Sequence, residues 1–102
     1  MIVITGSVTA KPGRIDLIRA EGIAHSKRSR REDGCLSHAC YLDAERADRL
    51  FFYEEWRDMR AVEAHFRHPD TGRIITAIRE HALASEGPTL LEASRVAPDN
   101  AG

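Results

Sequence analysis

Apolar and polar positions alternate from Ile2 to Ala10, with Ile2, Ile4, Gly6, Val8 and Ala10 opposite Val3, Thr5, Ser7 and Thr9. That period of two predicts a strand with one greasier face. Gly6 falls within that face and marks either a bulge or room left beneath something bulky. Lys11, Pro12 and Gly13 break the strand, and the next breakers are Asp33 and Gly34. The proline-free stretch between them, rich in Arg, Ala, Glu, Ile and Leu, predicts a helix. One stripe of it holds Ile15, Ile18, Gly22 and His25, while Leu17, Ala20, Ile23 and Ala24 spread round the circumference. Lys27, Arg28, Arg30 and Arg31 fall in its last turn, where cations complement the carbonyl end of the helix dipole. No aromatic residues are interleaved with them to stack on bases, so no nucleic-acid partner is expected.

Gly34 is placed to close this helix in a left-handed conformation. Cys35–Leu42 then reads as a second strand, with Cys35, Ser37, Ala39 and Tyr41 opposite Leu36, His38, Cys40 and Leu42. The polar segment Asp43–Asp48 joins it as a hairpin to a third strand, in which Leu50, Phe52, Glu54 and Trp56 share one face. The period then changes. Asp58 caps a short helix through Met59, Val62 and Phe66 that ends at Pro69. Asp70 or Thr71 caps another with the stripe Ile74, Ile75, Ile78, His81 and Ala82, stopped by Glu86, Gly87 and Pro88. Thr89–Ala97 predicts a fourth strand, and Pro98–Gly102 a polar tail.

The order β-α-β-β-α-β, with the second crossover split into two helical pieces, predicts an α+β, ferredoxin-like chain. A four-stranded antiparallel sheet carries its helices on one face only. The other face, with Phe51, Tyr53, Val3 and Leu36, is too apolar to leave in water, so two subunits are expected to pack sheet to sheet as a homodimer. At 102 residues the expectation is a single domain over 1–97 followed by the tail at 98–102.

Composition changes this picture little. A net charge of -1, with 42% hydrophobic and 30% charged residues, gives no reason to expect nucleic acid or acidic lipid. No apolar run reaches the roughly 20 residues that span a bilayer, and MIVITGSVTA lacks the basic start of a signal peptide, so a cytoplasmic protein without membrane contact is expected. Cys35 and Cys40 are too far along one strand to bridge, face opposite ways and are read as reduced thiols.

Candidate chemistry gathers where strand changes to helix. The only Trp, Trp56, ends the third strand, and His65 sits on the helix that folds back over the sheet, so both can reach one crevice. The plainer alternative makes Trp56 a core plug and ties His65 to Glu54 or a backbone carbonyl. His25, His38 and His81 line the cavity or sit in the core. Their spacing is not that of two His four apart on one helix, and His65 and His68, three apart, have no carboxylate motif around them; no metal is expected.

Several segments in order carry a resemblance: Lys11–Gly13 (KPG), Glu32–Cys35 (EDGC), Tyr53–Trp56 (YEEW), and Ala61–Phe66 (AVEAHF) followed by His68 and Pro69. The chain resembles the antibiotic biosynthesis monooxygenase family of dimeric α/β-barrel proteins over nearly its whole length. The resemblance implies the fold and a dimer. Family activities include cofactor-free oxidation of hydroquinone- or anthrone-like aromatics with O2, haem degradation and isomerisation of a phosphorylated signalling compound. The haem-degrading branch uses an Asn on the first strand, a Trp where His65 stands and a His near Ile75; here the strand position holds Thr5, which disfavours that branch. The cofactor-free oxygenases use an Asn, a Trp and an Arg. Trp56 matches the Trp and Arg73 or Arg79 supplies a cation, but the only Asn is Asn100.

What the resemblance implies here is a cofactor-independent monooxygenase acting on a small aromatic with O2. His65 would be the base, Trp56 and Phe52 would stack on a planar substrate, Glu54 would orient His65 or a substrate hydroxyl, and His25, Arg73 and Arg79 would bind substrate. The alternative is a relative that binds a small ligand, isomerises one, or is a dimeric module without catalysis; a cavity lined by Arg73, Arg79 and other cations would point to an anionic ligand.

Overall fold

A computed structural model describes residues 1–98, so the predicted polar tail lies, apart from Pro98, outside the described residues. The elements are β1 (Ile2–Ala10), α1 (Ile15–Ser29), β2 (Cys35–Leu42), β3 (Arg49–Trp56), α2 (Met59–Arg67), α3 (Thr71–His81) and β4 (Ala82–Glu92). The strands form one antiparallel sheet in the order β2-β3-β1-β4, a ferredoxin-like arrangement.

Alternation decides which sheet face is buried. Every second residue of β3, Leu50, Phe52, Glu54 and Trp56, is buried, and register pairs these positions with Val8, Gly6, Ile4 and Ile2 of β1. The helices cover this face. α1 lays Ile18, Gly22 and His25 against it, the stripe read from the sequence. Gly22 permits the close approach: a Cβ there would meet Leu50 Cδ2 at 3.0 Å and Phe52 Cζ at 3.1 Å. Two apolar clusters result, one of Val8, Ala10, Ile18, Leu50, Phe52 and Ile74, the other of Ile2, Ile4, Trp56, Ala61 and Val62. Asp58 caps α2, its Oδ1 accepting from the Ala61 amide at 2.9 Å.

The structure departs from the sequence reading most in two strands; in addition α1 ends at Ser29, so that Arg30, Arg31 and the left-handed Gly34 fall in the following turn rather than closing the helix, and Asp70 makes no side-chain cap for α3. The last helix ends at His81, and β4 runs over Ala82–Glu92 where Thr89–Ala97 was predicted. The Glu86–Gly87–Pro88 run, expected to stop a helix, instead forms a bulge within the strand: pairing with β1 slips by one residue between Thr5 and Ser7, opposite Gly6. β4 is an edge strand, where a proline can be accommodated without breaking the sheet. Gly6 leaves room for that bulge, since a Cβ on it would lie 3.2 Å from the Glu86 carbonyl oxygen.

The second departure concerns β2. A bulge between Cys35 and Ser37 pairs Cys35 with Trp56 while Cys40 pairs with Phe52, so both cysteines face the helices rather than opposite sides. Both are free thiols, and burial foremost raises their pKa values, that of Cys35 to about 11 with the negative charge of Glu32 and Glu54 adding to it. Among the described residues no helix is long and apolar enough to cross a membrane.

Candidate active site

His65 projects from α2 toward the sheet, beneath the end of α1. Its Nδ1 lies 3.1 Å from both carboxylate oxygens of Glu32, in the turn after α1. A carboxylate there accepts a hydrogen bond from Nδ1–H and leaves the lone pair on Nε2. His65 Nε2 is 3.9 Å from Glu54 Oε1. Thr71 Oγ1 donates to the His65 carbonyl at 2.8 Å and secures the same turn from α3.

Glu54 joins the groups behind this ring. Its Oε1 accepts from Trp56 Nε1 at 2.9 Å and lies 3.3 Å from His38 Nε2, a contact not aligned as a hydrogen bond. Burial opposes the Glu54 charge, but the neighbouring His38 imidazole, the indole N–H and His65 outweigh it and hold the carboxyl below its ordinary range. His38 Nδ1 is 2.8 Å from Ser26 Oγ of α1. His25 stands between them, with ring centroids 5.0 Å from His38 and 5.2 Å from His65. Burial, then the nearby His38 and His65 rings, push its pKa down to about 3, so it is neutral near pH 7.

Beside this cluster lies a cavity of about 560 Å³, between β1, the β4 bulge, α2 and α3. Ile4, Val8, Phe52, Ile74 and Ile78 make its wall apolar, whereas His25, His65 and Glu54 form a polar end. The volume is in the range that takes a small organic ligand.

The structure therefore brings together most of the residues named from the sequence. His25, Phe52, Glu54, His65 and the exposed Arg79 all border the cavity. Trp56 does not: it is 0% exposed and stacks against the back of His65, with ring centroids 4.5 Å apart. Its role in this geometry is to support His65 and Glu54 rather than to meet a ligand. Arg73 lies away from the cavity, mostly exposed, with its Nε 3.8 Å from Asp70. His81 is near Arg14 at the far end of α3.

The sequence does not single out Glu32 or Ser26 as participants, and it leaves His38 open between cavity and core. Glu32 sits in a turn, where no periodicity points inward. Ser26 follows His25 but shares its helix face only after α1 has docked. For His38 a signal existed, because extending the β2–β3 hairpin places it directly across from Glu54. The three histidines come from α1, β2 and α2, so no sequence spacing displays their convergence.

A buried imidazole held by a carboxylate thus stands at the wall of an apolar cavity on a ferredoxin-like sheet. The chain belongs to the antibiotic biosynthesis monooxygenase family, whose family model matches residues 1–77. An uncharacterised protein of Synechocystis sp. (strain ATCC 27184 / PCC 6803 / Kazusa) is 32% identical over 68 residues, 67% of this chain and 46% of that relative; the chain thus matches less than half of the relative's length. A solved antibiotic biosynthesis monooxygenase superposes with a TM-score of 0.83 at 23% identity, covering 93% of this chain and 100% of its own. A Deinococcus radiodurans candidate for the same class gives a TM-score of 0.88 at 21% identity, covering 95% and 96%. At such identities these two structures establish the fold alone.

Proposed function

We propose that the protein is a cofactor-independent monooxygenase that oxidises a small hydroquinone- or anthrone-like aromatic with O2. The observation that carries this reading is the Glu32–His65 pair, which presents an imidazole Nε2 at the wall of an apolar cavity of about 560 Å³. A phenol gives an electron to O2 far more readily as its anion, so the first requirement is a base beside the hydroxyl. His65 Nε2 takes that proton. Glu32 keeps the ring in the needed tautomer, and Glu32 and Glu54 offset the positive charge it acquires.

The phenolate then passes an electron to O2, the resulting pair combines at ring carbon as a peroxide, and its breakdown releases water and the quinone. Ile4, Val8, Phe52, Ile74 and Ile78 keep bulk water from the intermediate, and Phe52 offers a face against which a planar ring can pack. Among the described residues only Arg79 brings a Lys or Arg cation to the cavity wall, which disfavours the alternative of a multiply charged anionic ligand. A homodimer formed through the uncovered sheet face fits the same reading, because that face carries Val3, Phe51, Tyr53 and Leu91.

Oxygen uptake over a panel of hydroquinones and anthrones tests the proposal. Wild type is expected to consume O2 with at least one of them, and His65→Ala to lose about 10²–10⁴-fold in rate. Undiminished uptake by His65→Ala would remove the base from the mechanism, and no uptake by wild type across the panel would remove the oxygenase.

A further inference from the structure

We propose that His25, His38 and His65 together form a binding site for one divalent transition-metal ion of the zinc class, with Glu54 as an adjoining carboxylate. The ligand nitrogens of the three rings lie within 4.8 Å of one another, and all three residues are buried. Zinc–nitrogen bonds of about 2.0–2.1 Å place tetrahedral ligands about 3.3 Å apart, so the rings close on an ion by shifts of at most about 1 Å. Centroid separations of 5.0, 5.2 and 5.8 Å compare with the roughly 5 Å expected when three imidazoles share one ion.

Unmet bonding capacity is the second observation. Among the described residues His38 Nε2 is buried without a hydrogen-bond partner, Glu54 Oε1 lying 3.3 Å away but not aligned to accept from it. His65 Nε2 has only Glu54 Oε1 at 3.9 Å. Three imidazoles gathered in a protein interior, one of them with a buried nitrogen left unbonded, call for a common partner, and an ion satisfies all three at once.

The opposite edges of two rings are already arranged as in metal sites. His65 Nδ1 meets the Glu32 carboxylate at 3.1 Å, which fixes its tautomer with a free Nε2, and His38 Nδ1 meets the Ser26 hydroxyl at 2.8 Å, a partner able to accept from the Nδ1–H tautomer that frees Nε2 for an ion. Such outer partners orient ligating histidines and raise their basicity. Because His25, His65 and Glu54 border the cavity while His38 lies behind, a fourth coordination position would face the ligand space.

This site shares His65 with the oxygenase reading, and one consequence rests on that reading: an ion on Nε2 occupies the base, so metal binding and cofactor-free turnover exclude each other. The test begins with the full chain stripped by a chelator and titrated with Co2+, read by its visible ligand-field absorption and by stoichiometry. One ion per chain and a tetrahedral-type spectrum are expected. His25→Gln, at the cavity wall, and His38→Gln should each abolish that spectrum, with far-UV circular dichroism verifying the fold and His25→Gln deciding if His38→Gln does not fold. Ser26→Ala and Glu32→Gln should weaken binding about 10–100-fold. Absence of the spectrum in wild type, or its persistence at equal affinity in His25→Gln, overturns the site. The spectrum needs no substrate, so it stands or falls separately from oxygen uptake. Where uptake is observed, Zn2+ should suppress it and the chelator restore it; zinc that binds without slowing uptake removes His65 from the ligand set and overturns the three-histidine site.

Discussion

Acid should destabilise this protein well before its carboxylates titrate, and His25 is the reason. In the folded chain its pKa is lowered from 6.5 to about 3 by burial foremost, then by the adjacent His38 and His65 rings; Glu54 opposes the shift and Arg28 adds to it. The folded state therefore refuses a proton that the unfolded chain accepts below pH 6.5. By linkage, stability is unaffected by this group above pH 6.5 and is lost progressively as pH falls toward 3. Each pH unit in that window costs up to about 1.4 kcal/mol, so about 2.5 kcal/mol is the upper limit of the loss between pH 7 and pH 4.5. The window is diagnostic because Glu54, Asp43 and Asp58, whose pKa values are also lowered, draw their unfolded-state protons only near and below 4.5. Urea denaturation of wild type and His25→Gln at pH 7 and pH 4.5, with a chelator present throughout, measures the difference. The midpoint of wild type should fall steeply with acid and that of the variant clearly less. Equal losses in the two proteins would show that burial does not hold His25 neutral.

Three further outcomes follow from the packing. Trp56→Phe removes the indole donor to the Glu54 carboxylate and should cost about 2 kcal/mol in urea denaturation, since bonds to buried charged groups are worth about 1.5–3 kcal/mol; a loss below about 1 kcal/mol would mean Glu54 is satisfied otherwise. Gly22→Ala gains about 1 kcal/mol of helix propensity but forces a methyl against Leu50 and Phe52, at a cost of about 1–3 kcal/mol, and should lower the melting temperature; a rise would show that α1 lifts off the sheet without penalty. The uncovered sheet face should make the protein a dimer by sedimentation equilibrium and Phe51→Glu a monomer, and a monomeric wild type at micromolar concentration would refute the sheet-to-sheet pairing.

Elements whose periodicity meets a single environment are legible along the chain. β3 alternates because one face is covered, α2 carries its own cap at Asp58, and the α1 stripe Ile18, Gly22 and His25 follows from helical geometry. Those signals are local, within the reach of a side chain along its own element. Features that depend on register and docking emerge only when the elements pack together. The β4 bulge took Gly87 and Pro88 into an edge strand, where the same residues in isolation read as a helix stop. The β2 bulge turned Cys35 to the face of Cys40. Above all, the cluster of His25, His38, His65, Glu32 and Glu54 joins two helices, two strands and a turn, so no spacing along the chain encodes it. Local periodicity reports which face is buried; the folded chain alone reports which buried polar groups become neighbours, because each pairing depends on how separate elements cross.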